Sequence, residues 1–165
     1  VTDASPRSLA TPALPISVAL SVARVALGIL WLHEGFVKYH AGFGKADILL
    51  VADGAGSNTR VPGFFASFVD HLLRPFAEVA GFVVPLLEVG LGAALILGFL
   101  TLPAALGSLL NLMTYWCSDQ LVGQYPIMGA LSGLVIAWPA LASRLSLPTL
   151  ITARRSRSDR DPVDA

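Results

Sequence analysis

Charge is what this sequence has least of. Only 13% of its 165 residues are Asp, Glu, Lys or Arg, about half the ~25% of a soluble domain. No Lys or Arg occurs between Arg74 and Arg144, and after Glu78 only Glu88 and Asp119 interrupt that stretch. Cysteine is nearly absent too. With Cys117 alone there is no disulfide scaffold, no CxxC exchange motif and no iron–sulfur cluster within the chain. His33 and His40 lie close to one helix end with no histidine in another apolar segment to complete a haem pair, and no metal site is expected. Walker and dinucleotide fingerprints are missing, and GKAD at 44–47 lacks the strand–loop–helix setting that would make it a phosphate loop. No repeat of fixed period is visible. The net charge of zero leaves no basic surface for nucleic acid.

What remains is apolar. Hydrophobic residues make up 55% of the chain and the mean hydropathy is +0.70. The length suits one domain. A stretch so poor in charge would not stay dissolved as a monomer, so the sequence reads as a membrane protein. Lipid offers no partner to unpaired backbone groups, and a ~30 Å hydrocarbon core takes roughly 20 apolar residues as helix. Segments at about 15–38, 76–100, 102–117 and 122–142 fit, with Pro103 opening a new helix after the Leu100-Thr101-Leu102 junction. The expected fold is all-α: a polytopic four-helix membrane bundle over 14–142, between an N-terminal segment 1–13 and a basic, disordered tail 143–165. The first segment is long and has no small-residue cleavage pattern, so it reads as a span rather than a signal peptide.

Arg144, Arg154, Arg155, Arg157 and Arg160 form the densest basic cluster, which puts the tail in the cytoplasm. An even number of spans brings the N-terminus to the same side, so the connection at 39–74 and the short one at 117–124 face outward. Within the long connection, VPGFFASFVDHLLRPF places Phe64, Phe65, Phe68, Val69 and Leu72 near one helical face. That is a short amphipathic helix, lying on the outer membrane surface or packed over the mouth of the bundle. Asp53 to Asn58 reads as an exposed turn.

Ionisable groups inside a span cost about 2.5–3.5 kcal/mol each on insertion scales, so each needs a reason. Arg24 falls near the middle of the first span and Glu88 near the middle of the second. Opposite charges at matching depth on antiparallel neighbours are natural partners, either as a register lock or as a working polar site. Arg24, Gly28, Trp31, Gly35 and Lys38 share one helix face, and Glu34 precedes Lys38 in the favourable i,i+4 order. Gly81, Pro85, Glu88 and Gly92 share another. Gly107-x-x-x-Asn111 and Gly129-x-x-x-Gly133 read as small-residue packing faces. Glu34, Lys38, Asp119 and Gln124 are expected to meet in a polar pocket in the outer half, whereas Trp116 and Trp138 read as interfacial anchors.

With these residues assembled, the chain resembles the DoxX family, including the DoxD-type small subunit of thiosulfate:quinone oxidoreductase. The resemblance rests on Arg24-VALGILWLHEG-FV-Lys38 and on LL-Glu88-VGLGAALILG-FLTLPAA, and covers about residues 17–142. Leu102 stands where the family commonly has Arg. The resemblance implies a bacterial plasma-membrane protein with both termini cytoplasmic, linked to redox, sulfur or oxidative-stress metabolism, and carries Arg24, Lys38 and Glu88 over as its site positions. In that setting the chain is a quinone-linked redox subunit with a partner subunit or a homo-oligomer, in contact with membrane lipid and not with nucleic acid. A quinone needs an apolar slot, donors for its carbonyls and a path for protons. Arg24, Lys38 and Glu88 are the catalytic candidates, and Trp31, Glu34, Asn111, Asp119 and Gln124 the candidates to contact the cofactor. The competing readings are a non-catalytic membrane anchor or assembly subunit, and a small proton-coupled transporter using Glu88.

Overall fold

The computed structural model describes residues 13–120 and 123–158, with side chains for 14–120 and 123–152. Every regular element among them is helical: α1 (Ala13–His40), α2 (Lys45–Ser57), α3 (Gly63–Phe68), α4 (Ala77–Leu97), α5 (Thr101–Cys117), α6 (Tyr125–Ala137), α7 (Pro139–Ala142) and α8 (Leu147–Ser158). Two helices, Leu14–His40 and Ala77–Leu97, are long and apolar enough to cross a membrane. Their outward faces bear Val18, Val22, Ile29 and Phe36 on α1 and Val79, Phe82, Val83 and Leu86 on α4, all exposed. Apolar surface of that extent needs lipid or a partner against it.

The axis of the fold is the antiparallel pair of α1 and α4. A Cβ built on Gly28 would lie 2.8 Å from the Gly92 carbonyl oxygen, and one on Gly35 would lie 3.2 Å from that of Pro85. Glycine therefore lets the two backbones touch, and it also fixes how far one helix slides past the other. Pro85 is buried within α4, which continues through it to Leu97. Gly98 ends the helix in the left-handed conformation (φ 71°), where a side chain would be strained. α5 and α6 close the bundle. Its core gathers Leu27, Trp31, Leu95, Leu112, Met128 and Val135. A polar thread crosses it: Trp31 Nε1 donates to Ser108 Oγ (2.6 Å), which lies 2.8 Å from Ser132 Oγ.

The long connection after α1 is a folded cap. α2 runs through Asp53-Gly-Ala-Gly-Ser57, so the exposed turn expected at 53–58 is the last part of a helix. α3 continues into a π-helical turn at Val69–Leu73. Phe65 and Val69 are buried with Ala52, Ala55 and Val61, and Cys117 at the end of α5 packs against them. The cap therefore sits over the mouth of the bundle, while Phe64, Phe68 and Leu72 stay exposed.

Three other expectations change. The fourth apolar segment is broken at Trp138 (φ −135°, ψ 57°), because Pro139 disfavours helical geometry in the residue before it; Leu121 and Val122, at the start of that segment, lie outside the described residues. The tail expected to be disordered is helical over Leu147–Ser158; residues 1–12 and 159–165 lie outside the described residues. Gly129 and Gly133 face open space among the described residues, with nothing within 4 Å of a Cβ built on either, so they pack no described helix.

Candidate functional site

Under the cap, the inward faces of α1, α4, α5 and α6 bring their polar residues together. Lys38 Nζ donates to Glu88 Oε1 (2.5 Å) and to the Tyr115 hydroxyl (3.2 Å). Tyr115 in turn donates to the same Glu88 oxygen (2.5 Å). On the other side, Lys38 Nζ stands 3.6 Å from Glu34 Oε2. Tyr125 donates to that oxygen (3.2 Å), and Gln124 Nε2 donates to Glu34 Oε1. The rings of Tyr115 and Tyr125 stack at 5.2 Å. One ammonium thus sits between two carboxyls, each also held by a tyrosine. Glu88 is fully buried, while Glu34 and Lys38 keep 12% and 15% of their side chains exposed. Removing one partner of so buried a pair typically costs about 3–5 kcal/mol.

A cavity of about 230 Å³ opens beside this cluster. Its floor is polar, made by Lys38, Asn111, Thr114 and Tyr115; its walls are apolar, from Phe43 and Val84 below to Ile48, Phe65 and Phe68 of the cap. Phe68 and Gln120 at its margin are exposed. Two buried polar atoms have no hydrogen-bond partner among the described residues, Asn111 Nδ2 and Glu88 Oε2. Asn111 lines the cavity, so an acceptor entering there would satisfy its amide.

The pairing of Arg24 with Glu88 does not occur. Arg24 is buried (1% exposed) and binds only carbonyls among the described residues: Nε donates to Ala142 (3.0 Å), Nη1 to Leu95 and Ile96, and Nη2 to Leu145 (3.1 Å). These lie in the last turn of α4 (Leu95, Ile96), at the end of α7 (Ala142) and in the turn that follows it (Leu145). Two helix C-termini, each equivalent to roughly half a negative charge, balance one guanidinium. Arg24 is therefore level with Leu95, seven residues or about 11 Å along α4 from Glu88. Counting from the ends of the apolar runs missed this. α4 begins beyond the end of α1, with Gly81 against Gly44, so Glu88 lies opposite the C-terminal third of α1 rather than its middle.

Two other candidates also stand apart. Trp31 is spent on the Ser108 hydroxyl in the core. Asp119, in left-handed geometry (φ 58°) after α5, accepts from Asn58 Nδ2 (2.8 Å) and Arg60 (2.5 Å) and pins the cap to the bundle. The Asn58 amide, with the Arg60 guanidinium beside it, holds the Asp119 carboxyl below the usual carboxylate range. Lys38, Glu34, Glu88 and Gln124 do meet, and Asn111 borders them. Sequence reasoning left out Tyr115 and Tyr125 as partners. The signal was present for Tyr115, which lies one turn after Asn111 on the same face.

A model of the DoxX family matches residues 19–118. The chain belongs to the DoxX family. The matched stretch runs from α1 to the end of α5 and contains Arg24, Glu34, Lys38, Glu88, Asn111 and Tyr115, while Gln124 and Tyr125 lie beyond it. DoxX proteins are generally membrane proteins, and the exposed apolar faces of α1 and α4 agree with that. Neither the comparison with curated proteins nor that with solved structures gives a match.

Proposed function

We propose that this DoxX protein is a four-span subunit of a bacterial plasma membrane, with cytoplasmic termini, that binds a quinone head group in the cavity beneath its outer cap and serves a quinone-linked oxidoreductase with a partner subunit or a second copy. Sulfur compounds such as thiosulfate, or oxidative-stress chemistry, supply the electrons in this reading. The observation that carries it is the Asn111 Nδ2, buried and without a hydrogen-bond partner among the described residues, on the floor of a mostly apolar cavity beside Lys38 and Tyr115. A cavity of about 150 Å³ takes benzene, so one of this size admits a single substituted ring and leaves an isoprenoid tail outside. Asn111 donates to a ring carbonyl, and the Tyr115–Glu88–Lys38 cluster supplies or accepts the protons of the two-electron reaction. α5 and the α6–α7 pair complete the span count beside α1 and α4, the breaks in the latter pair being confined to one residue.

The test is the lipid extract of purified protein. Wild type carries quinone at near-stoichiometric level, Asn111→Leu and Lys38→Met lose it, and Glu78→Gln, on the exposed first turn of α4, keeps it. Absence of quinone from folded wild type sinks the reading. A second reading, the anchor or assembly subunit, draws on α6, whose open Gly129 and Gly133 lie among exposed Ile127 and Leu134. It is favoured if Gly133→Leu abolishes assembly while the site variants leave the assembled complex as active as wild type.

A further inference from the structure

The cluster beneath the cap contains two carboxyls and one cation, Glu34, Glu88 and Lys38. Among the described residues, the other polar groups facing the trio are neutral: Tyr115 and Asn111 from α5, Tyr125 and Gln124 from α6 and its approach. His33, next to Glu34 in sequence, is on the exposed side of α1. With both carboxyls ionised the trio bears a net negative charge in a buried site, which is costly, and one added proton removes it. The geometry also gives that proton a path. Tyr115 and Lys38 line the cavity, and both touch Glu88 Oε1. Glu88 has no exposure, whereas Glu34 is partly exposed and is gripped by Gln124 of the outer connection. Lys38 Nζ stands between the two, 2.5 Å from one and 3.6 Å from the other.

We infer that Glu34, Lys38 and Glu88 hold one exchangeable proton between them, and that Glu34 is the group that passes it between the cavity and the outer face. In the outward direction, Glu34 first releases the stored proton to water, and a ligand hydroxyl gives its proton to the Tyr115 oxygen as the Tyr115 proton moves to Glu88. Lys38 then gives a proton to Glu34 as it takes the one on Glu88, which restores the singly protonated trio. Tyr115 and Lys38 end with the protons they began with, and no electron moves. The inference rests on reading the site as one for a proton-exchanging ligand such as a quinone, but its test needs no quinone.

The probe is the infrared C=O stretch of protonated carboxyls in full-length protein in lipid nanodiscs at pH 7. Wild type shows one buried protonated carboxyl. Glu34→Gln and Glu88→Gln each leave one carboxyl with one ammonium and lose the band, whereas Lys38→Met doubles it. Should Glu88→Gln fail to fold, Glu34→Gln and Lys38→Met decide the count. Glu34→Asp keeps the charges but withdraws the carboxyl from Gln124 and Tyr125, so its band persists and exchanges with D2O at least ~10-fold more slowly. No band in wild type, a band surviving in Glu34→Gln, or wild-type exchange in Glu34→Asp overturns the inference. Quinone missing from the same preparation counts against the ligand assignment alone.

Discussion

Replacing Arg24 by Met tests the division between the two ends of this molecule. The side chain keeps an unbranched apolar stem and loses a guanidinium that caps α4 through Leu95 and Ile96 and the α7 end through Ala142 and Leu145. A cation at a partly buried helix C-terminus contributes up to ~2 kcal/mol, so two ends come to at most about 4 kcal/mol. For a chain of this size that corresponds to a fall in Tm of roughly 8–16 °C, at 2–4 °C per kcal/mol. Arg24→Lys keeps the charge without the fork and recovers about half. The assay is thermal unfolding in detergent by near-UV circular dichroism, with bound quinone measured per folded molecule. Because Arg24 and Glu88 do not touch, a double-mutant cycle between them gives coupling below ~0.5 kcal/mol. The cycle between Lys38 and Glu88 gives a coupling several times larger. Loss of quinone from Arg24→Met at unchanged Tm, or rescue of Arg24→Met by Glu88→Gln, would refute the assignment of Arg24 to helix capping.

Asp119→Asn loosens the cap, which hydrogen–deuterium exchange reads as faster exchange over 45–57 and 63–73 with the bundle helices unchanged. A carboxyl held low when folded contributes stability above its unfolded pKa and loses it as the pH falls through the folded value, so acidification below the usual carboxylate range loosens the wild-type cap in the same way. Gly98→Ala forces a side chain into left-handed geometry, at about 1–2 kcal/mol, and puts its Cβ 2.9 Å from Arg24 Nη1; its Tm falls toward that of Arg24→Met. Ser108→Val leaves the Trp31 indole N–H without its acceptor, which costs about 1–3 kcal/mol, and retains quinone, since neither residue lines the cavity.

Faces were legible in the sequence where depths were not. Periodicity put Arg24, Gly28, Trp31, Gly35 and Lys38 on one side of α1, and all five are buried or half-buried. It did the same for Gly81, Pro85, Glu88 and Gly92 on α4, all buried. Periodicity within one helix says nothing of how far its neighbour slides, and that is set by contacts between helices, Gly28 on Gly92 and Gly81 on Gly44. Hence Lys38, rather than Arg24, reaches Glu88. The cap was hidden for a different reason. Asp53-Gly-Ala-Gly-Ser57 has turn composition, and its helix is held by burial of Ala52 and Ala55 beneath Phe65 and Val69 rather than by propensity. Asp119 looked like a neighbour of Gln124 because only a short connection separates them, yet its left-handed backbone turns it toward Arg60.

The slide between α1 and α4 also bears on which reading of the site is the better one. Had Arg24 met Glu88, the polar residues would have run in a line through the middle of the bundle, as a transport path requires. Instead, Leu27 and Trp31 fill α1 between Arg24 and Glu34, and they pack with Leu95, Leu112 and Met128 into one cluster, each at most 4% exposed. The hydroxyls that cross this layer, Ser108 and Ser132, are engaged with Trp31 and with each other. A proton leaving Glu88 inward meets tightly packed side chains. Outward it meets Lys38, then Glu34, then the connection that carries Gln124. That asymmetry favours a site that exchanges ligand and protons on one side of the membrane over a transporter. It also leaves the cap, pinned by Asp119, as the element that a ligand entering past Phe68 and Gln120 must accommodate.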